Sequence, residues 1–170
     1  TGALRDDDVR THDDVGHVHQ TWEPIKQDER AATQQGRVLD DVPVALPALS
    51  RAGKLQKRAA RVGFDWENWQ QVLEKIREEQ DEVVAAIVSG DRAAMEDELG
   101  DLLFACVNLA RFVDIDSEAA LRGANRKFVR RFRFIEAQLA ARGQRPEGAS
   151  LDEMETLWDA AKRAETSPDH

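Results

Sequence analysis

A second cysteine, a long apolar run and an excess of positive charge are all missing from this chain, and each absence removes a class of function. Cys106 stands alone among 170 residues and can form no internal disulfide, which points to a reducing compartment. No apolar stretch approaches the roughly 18–20 residues that cross a bilayer, and no signal-peptide pattern is present. A cytoplasmic protein with no membrane attachment is therefore expected. The formal net charge of −9 excludes a general nucleic-acid binder, because a phosphate backbone demands a basic surface. It leaves room for a small phosphorylated ligand held through a metal. Histidine is absent from the middle of the chain: His12, His17, His19 and His170 lie near its ends. The Glu-x-x-His pairs of a di-iron carboxylate bundle are thus lacking.

What is present is helical patterning. Hydrophobic residues make up 41% of the chain, enough for a core, and the 34% that are charged lie largely within stretches of helical period. Residues 1–20 are acidic and aperiodic, residues 21–35 have the pattern of one short helix, and Gly36 to Pro47 reads as a connector. Since the chain opens on Thr1, a fragment or a processed form is expected. Residues 47–164 predict a helical domain, with 165–170 as a tail. Its first helix runs from Ala48 to Arg61. A second begins after Asp65 as N-cap, with Trp69, Val72, Ile76, Val83 and Ile87 as its stripe, and ends at Gly90. Asp91 caps a third, striped by Met95, Leu99, Leu102, Leu103, Cys106, Leu109 and Ala110. A fourth extends to about Ala141, with Leu121, Phe128, Phe132, Ile135 and Leu139 inward. Ser150 and Glu153 form a capping box for a last helix ending near Arg163. Nothing in this core alternates as a strand does, so the fold class is all-α, a helical bundle.

Carboxylates concentrate on two of these helices. At 100° per residue, Lys75, Glu78, Glu79 and Glu82 share roughly 100° of the second helix, and Glu98 and Asp101 share a face of the third. Charge runs are usually solvated faces, and Glu74, Glu96, Asp97 and Glu118 read that way. Glu79, Glu82, Glu98 and Asp101 fit that reading less well. Like charges at these spacings repel, Lys75 alone offers relief, and Asp101 lies hard against an apolar stripe. A short turn joins the helices as antiparallel neighbours, so the two acidic groups should face each other. Converging carboxylates call for a hard counter-cation, Mg²⁺ or in its place Mn²⁺. Both a solvated face and a metal site remain open on geometry alone. The fourth helix adds Lys127 and Arg131 one turn apart and off its stripe. With Lys75 they would suffice to clamp a triphosphate opposite a metal, or they simply balance the acidic helices. Trp158, amid charged residues on the last helix, is either a core residue or a platform for a base.

Four blocks in order resemble the MazG family of nucleoside triphosphate pyrophosphohydrolases: KLQKRAARVGFDW at 54–66, EEQDE at 78–82, ELGDLLFACVNLAR at 98–111 and ANRKFVRRF at 124–132. The family's E-E-x-x-E and E-x-x-D signature is met by Glu78, Glu79, Glu82, Glu98 and Asp101. The resemblance runs from about Trp22 to Lys162. It implies the all-α fold of these enzymes, completed by a homodimer, and hydrolysis of NTPs or dNTPs to monophosphate and pyrophosphate. By the same resemblance Glu79, Glu82, Glu98 and Asp101 hold Mg²⁺, Lys75, Lys127 and Arg131 contact phosphates, and Trp158 lies near the base. Glu78 is the candidate for orienting the attacking water. Two-domain members carry two catalytic copies, and the stretch before Trp22 is too short for a first one, so the chain resembles a carboxyl-terminal half. Gln80 departs from the apolar residue expected there. The competing expectation is a non-catalytic helical module that binds a nucleotide or a partner protein.

Overall fold

The computed structural model describes residues 36–166; the short helix expected at 21–35, Trp22 and all four histidines lie outside them. The chain divides into two compact units at Pro43. Of the first, residues 36–43 form successive turns closed by Asp40 N–H to Arg37 C=O at 3.1 Å and Val42 N–H to Leu39 C=O at 3.2 Å.

The second unit is all-α: α1 (Ala48–Arg61), α2 (Trp69–Ser89), α3 (Arg92–Phe112), α4 (Ser117–Ala141), a 3₁₀ turn (Pro146–Gly148) and α5 (Leu151–Thr166). The all-α expectation holds, and among the described residues there is no strand. Except for α1, which follows Pro47 without a side-chain cap, the helices start where local chemistry satisfies their first N–H groups. The Asp91 carboxylate accepts from the backbone N–H groups of Ala93 and Ala94, and Asp116 accepts from Ala119. The expected capping box is reciprocal, with Ser150 Oγ accepting from Glu153 N–H and Glu153 Oε2 from Ser150 N–H, both at 3.2 Å. Gly90 ends α2 at φ 72, a left-handed conformation that a side chain would strain.

One start differs from expectation. Asp65 is not the N-cap of α2; Asn68 is, accepting from Gln71 N–H at 3.0 Å. Asp65 is drawn away by a stronger partner, as its oxygens meet the Arg111 guanidinium at 2.6 and 3.0 Å. The last helix also reaches three residues past Arg163, so Glu165 belongs to α5 and not to a tail.

Two cores hold the unit together. In the α2–α3 hairpin Val72, Ile76 and Ala105 are buried, with Leu102, Leu109 and Phe112 packed around them. In the α4–α5 pair Ile135, Leu139 and Leu157 are buried against Phe132, Ala149, Met154 and Trp158. Helix α1 crosses both α3 and α4. Gly53 lies at its contact with α3, where a Cβ would meet Val107 Cγ1 at an ordinary 3.7 Å. Buried Gln56 fixes the same contact by donating from Nε2 to the Phe104 carbonyl at 2.9 Å.

Several stripe positions are not covered. Trp69 and Ile87 on α2, Leu99, Leu103 and Cys106 on α3, and Leu121 and Phe128 on α4 are exposed. The apolar faces of α2, α3 and α4 are wider than their neighbours among the described residues cover. No described helix is long and apolar enough to cross a membrane.

Candidate functional site

The seam of the α2–α3 hairpin runs Val72, Ile76, Glu79, Val83, Ala86 on one side and Glu98, Leu102, Ala105, Leu109, Phe112 on the other. Its 4-3 spacing is that of two helices packed along their length. Glu79 and Glu98 each occupy a seam position where the pattern calls for an apolar residue. Glu79 is consequently buried at 6% exposure, and its Oε2 has no hydrogen-bond partner. A buried carboxylate oxygen without a donor costs stability that only a counter-charge offsets.

Part of that charge comes from Lys75, one turn back. Its Nζ lies 2.8 Å from Glu79 Oε1 and 3.6 Å from Glu78 Oε1. The Glu79 hydrogen bond raises the lysine's pKa above its ordinary value. Across the seam, Glu79, Glu98 and Asp101 each offer a carboxylate oxygen, all within 4.8 Å of one another. Glu98 has its pKa raised by loss of solvation first, then by the charges of Glu82, Glu79, Asp101 and Asp97. Glu82 therefore acts on the cluster electrostatically while standing outside its closest three oxygens. An oxygen-only donor set of this charge, with one buried acceptor unpaired, suits a hard divalent cation.

The other expected site residues are differently engaged. Arg131 donates from Nε and Nη2 to Glu165 Oε2 at 3.1 and 2.9 Å and lies over the Trp158 ring, 5.3 Å from its centroid. Arg130 reaches the other oxygen of Glu165 at 2.9 Å. Arg131 and then Arg130 hold the Glu165 carboxyl at about 2, well below its ordinary range. Trp158 also packs against Phe128, with ring centroids 5.6 Å apart. Lys127 is exposed. Among the described residues no ion pair joins a cation of α4 to a carboxylate of α2 or α3, although α4 touches α3.

Asp65 is the residue whose setting the sequence misrepresented. With Asn108 Oδ1 as a third acceptor at 2.8 Å, Arg111 ties the α1–α2 loop to the end of α3. The guanidinium also stacks 4.8 Å over the Phe112 ring. The Arg111 hydrogen bond lowers the Asp65 pKa below 3.8. The pair thus contributes stability above the unfolded value, and this is lost as pH falls through the lowered folded value. A double-mutant cycle of Asp65→Asn and Arg111→Met should give a coupling of about 1–2 kcal/mol at pH 7, discounted for partial exposure. The coupling should shrink as pH falls through the lowered folded value, as read by urea unfolding at pH 7 and in acid.

The fold and this hairpin define a class: a small all-α unit with opposed carboxylates on two antiparallel helices. Residues 67–133 match the MazG nucleotide pyrophosphohydrolase domain. It is 51% identical over 148 residues to the nucleoside triphosphate pyrophosphohydrolase of Escherichia coli strain K12, covering 85% of this chain and 56% of that protein. It is 40% identical over 150 residues to the nucleoside triphosphate pyrophosphohydrolase/pyrophosphatase MazG of Thermotoga maritima, covering 88% of this chain and 57% of that protein. A Bacillus subtilis protein described as uncharacterized protein YabN is 43% identical over 159 residues, 93% of this chain and 32% of its own length. The chain thus spans about half the length, or less, of these relatives.

Proposed function

We propose that this chain hydrolyses nucleoside triphosphates at the α–β phosphoanhydride, giving the monophosphate and pyrophosphate in a Mg²⁺-dependent reaction. The observation that carries the reading is buried Glu79, one oxygen of which has no hydrogen-bond partner, grouped with Glu98 and Asp101 across a hairpin seam where apolar residues would pack better. The family match and the activity named for the Escherichia coli and Thermotoga maritima relatives support the same reaction.

In this reading Glu79, Glu82, Glu98 and Asp101 hold the cation, which supplies Lewis-acid activation of phosphate and water. Glu78, exposed at the edge of the cluster, accepts a hydrogen bond from the attacking water and orients it in line with the α-phosphorus. Lys75, Lys127 and Arg131 offset the charge that develops on the departing pyrophosphate, and the Trp158 edge borders the base. A homodimer belongs to the proposal. It would set α4 of one subunit beside the acidic hairpin of the other and cover residues such as Ile87, Leu103 and Phe104, which are 57%, 58% and 44% exposed here.

The test is pyrophosphate release from a panel of NTPs and dNTPs, with Mg²⁺ and with EDTA, for wild type and Glu82→Ala. Metal-dependent pyrophosphate without free orthophosphate, lost in the variant, is the expected result. Nucleotide binding with no pyrophosphate from any of the panel would instead identify a non-catalytic binding module.

A further inference from the structure

We infer that Lys75 is a counter-cation built into the chain, holding the place of the divalent ion until metal arrives and opposing its binding. The inference rests on the metal-site reading above. Two observations carry it. The ammonium lies 2.8 Å from Glu79 Oε1 and 3.6 Å from Glu78 Oε1, neutralising the one carboxylate buried in the seam. The second oxygen of that carboxylate, Oε2, is buried with no donor, and Glu79, Glu98 and Asp101 each bring a carboxylate oxygen to within 4.8 Å of the others. Lys75 therefore fixes the Glu79 carboxylate by one oxygen and leaves the other as its free acceptor.

Two consequences follow from charge. Without metal, Lys75 is the only cation paired with the cluster among the described residues, so the empty hairpin depends on it. With metal bound, the ammonium and the ion would share the Glu79 carboxylate, and the two positive charges would repel each other. Lys75 is thus a positioning residue that stabilises the empty site and weakens the loaded one. This keeps the cation exchangeable and leaves the remaining N–H groups of the ammonium free for an anionic ligand. A lysine serving only as a phosphate contact would have neither effect when no nucleotide is present.

The experiment uses the full chain without nucleotide. Mn²⁺ affinity is measured by calorimetry, and thermal unfolding is followed in EDTA and in saturating Mn²⁺, for wild type, Lys75→Met, Lys75→Gln and Lys75→Arg. Lys75→Met should bind Mn²⁺ about tenfold more tightly. It should melt below wild type in EDTA and gain more from Mn²⁺ than wild type does. Lys75→Gln, which can still donate to Glu79 but lacks the charge, should also bind Mn²⁺ more tightly, and it keeps the test open if Lys75→Met fails to fold in EDTA. Lys75→Arg should stay near wild type. Unchanged or weaker Mn²⁺ affinity in both uncharged variants overturns the inference. Absence of Mn²⁺ binding by wild type overturns the metal reading itself.

Discussion

Glu98→Gln should lower kcat/KM for pyrophosphate release by roughly 10²–10³-fold, about 3–4 kcal/mol of transition-state stabilisation, without unfolding the protein. The substitution keeps the volume and polarity of the side chain and removes only its charge and ligand strength. Glu98 stands in the α3 seam opposite buried Glu79, so it contributes one of the three closest oxygens of the cluster. If the carboxylates do no more than colour a solvated surface, losing one charge of the −9 would change turnover little.

The same variant should be more stable than wild type in EDTA. Loss of solvation, then Glu82, Glu79 and Asp101, raise the Glu98 pKa above 4.5. A folded-state pKa above the unfolded one means the native state binds more protons in that window. The associated stability is fully present below the unfolded value and is lost as pH rises through the raised folded value. At pH 7 without metal, the ionised Glu98 is therefore a destabilising charge, and Glu98→Gln relieves it. The difference between variant and wild type should vanish below about pH 4. Saturating Mg²⁺ should reverse the order, because wild type gains more from the ion. Loss of activity together with gain of metal-free stability separates a ligand from a structural residue, since a structural residue would lose both.

How far the sequence foretold this arrangement depended on whether the cause was local. Asp91, Asp116 and the Ser150–Glu153 box cap their helices through bonds spanning two or three residues, so their roles were legible. Asp65 looked equally like a cap, yet its partner Arg111 lies 46 residues away and only the folded chain brings it near. Glu79 was legible as an acidic residue of a signature. Its burial would also have been legible had the 72, 76, 79, 83, 86 spacing been read as one seam that a carboxylate interrupts. The apolar stripes told which residues face inward on each helix but not which neighbour covers them. Leu103 and Phe128, both expected inside, stay exposed because no described helix covers them. Arg131, expected to contact phosphate, also pairs with Glu165, 34 residues away in a segment read as a tail, which no local pattern announces.

Leu139→Ala should destabilise the chain by about 3 kcal/mol while leaving Mn²⁺ affinity unchanged. Leu139 is fully buried, at 0% exposure, between Ile135 on its own helix and Leu157 on α5. Truncation removes transfer energy and leaves a cavity. Phe132, Met154 and Trp158 pack against the same cluster, and the Phe132 and Trp158 rings are both held on Phe128, which limits collapse into the space. In urea the midpoint should fall with an unchanged slope, since the same surface is exposed on unfolding. The metal cluster should not register the loss at temperatures well below unfolding. Its carboxylates are carried by the α2–α3 hairpin, whose core of Val72, Ile76 and Ala105 shares no residue with the α4–α5 core. The contrast with Glu98→Gln is the point of the pair. One variant should lose stability and keep the ion, and the other should keep stability and lose the ion. A fall in Mn²⁺ affinity for Leu139→Ala matching its fall in stability would mean that the two cores are one cooperative unit, with the acidic hairpin preorganised by α4 and α5 as well as by its own seam.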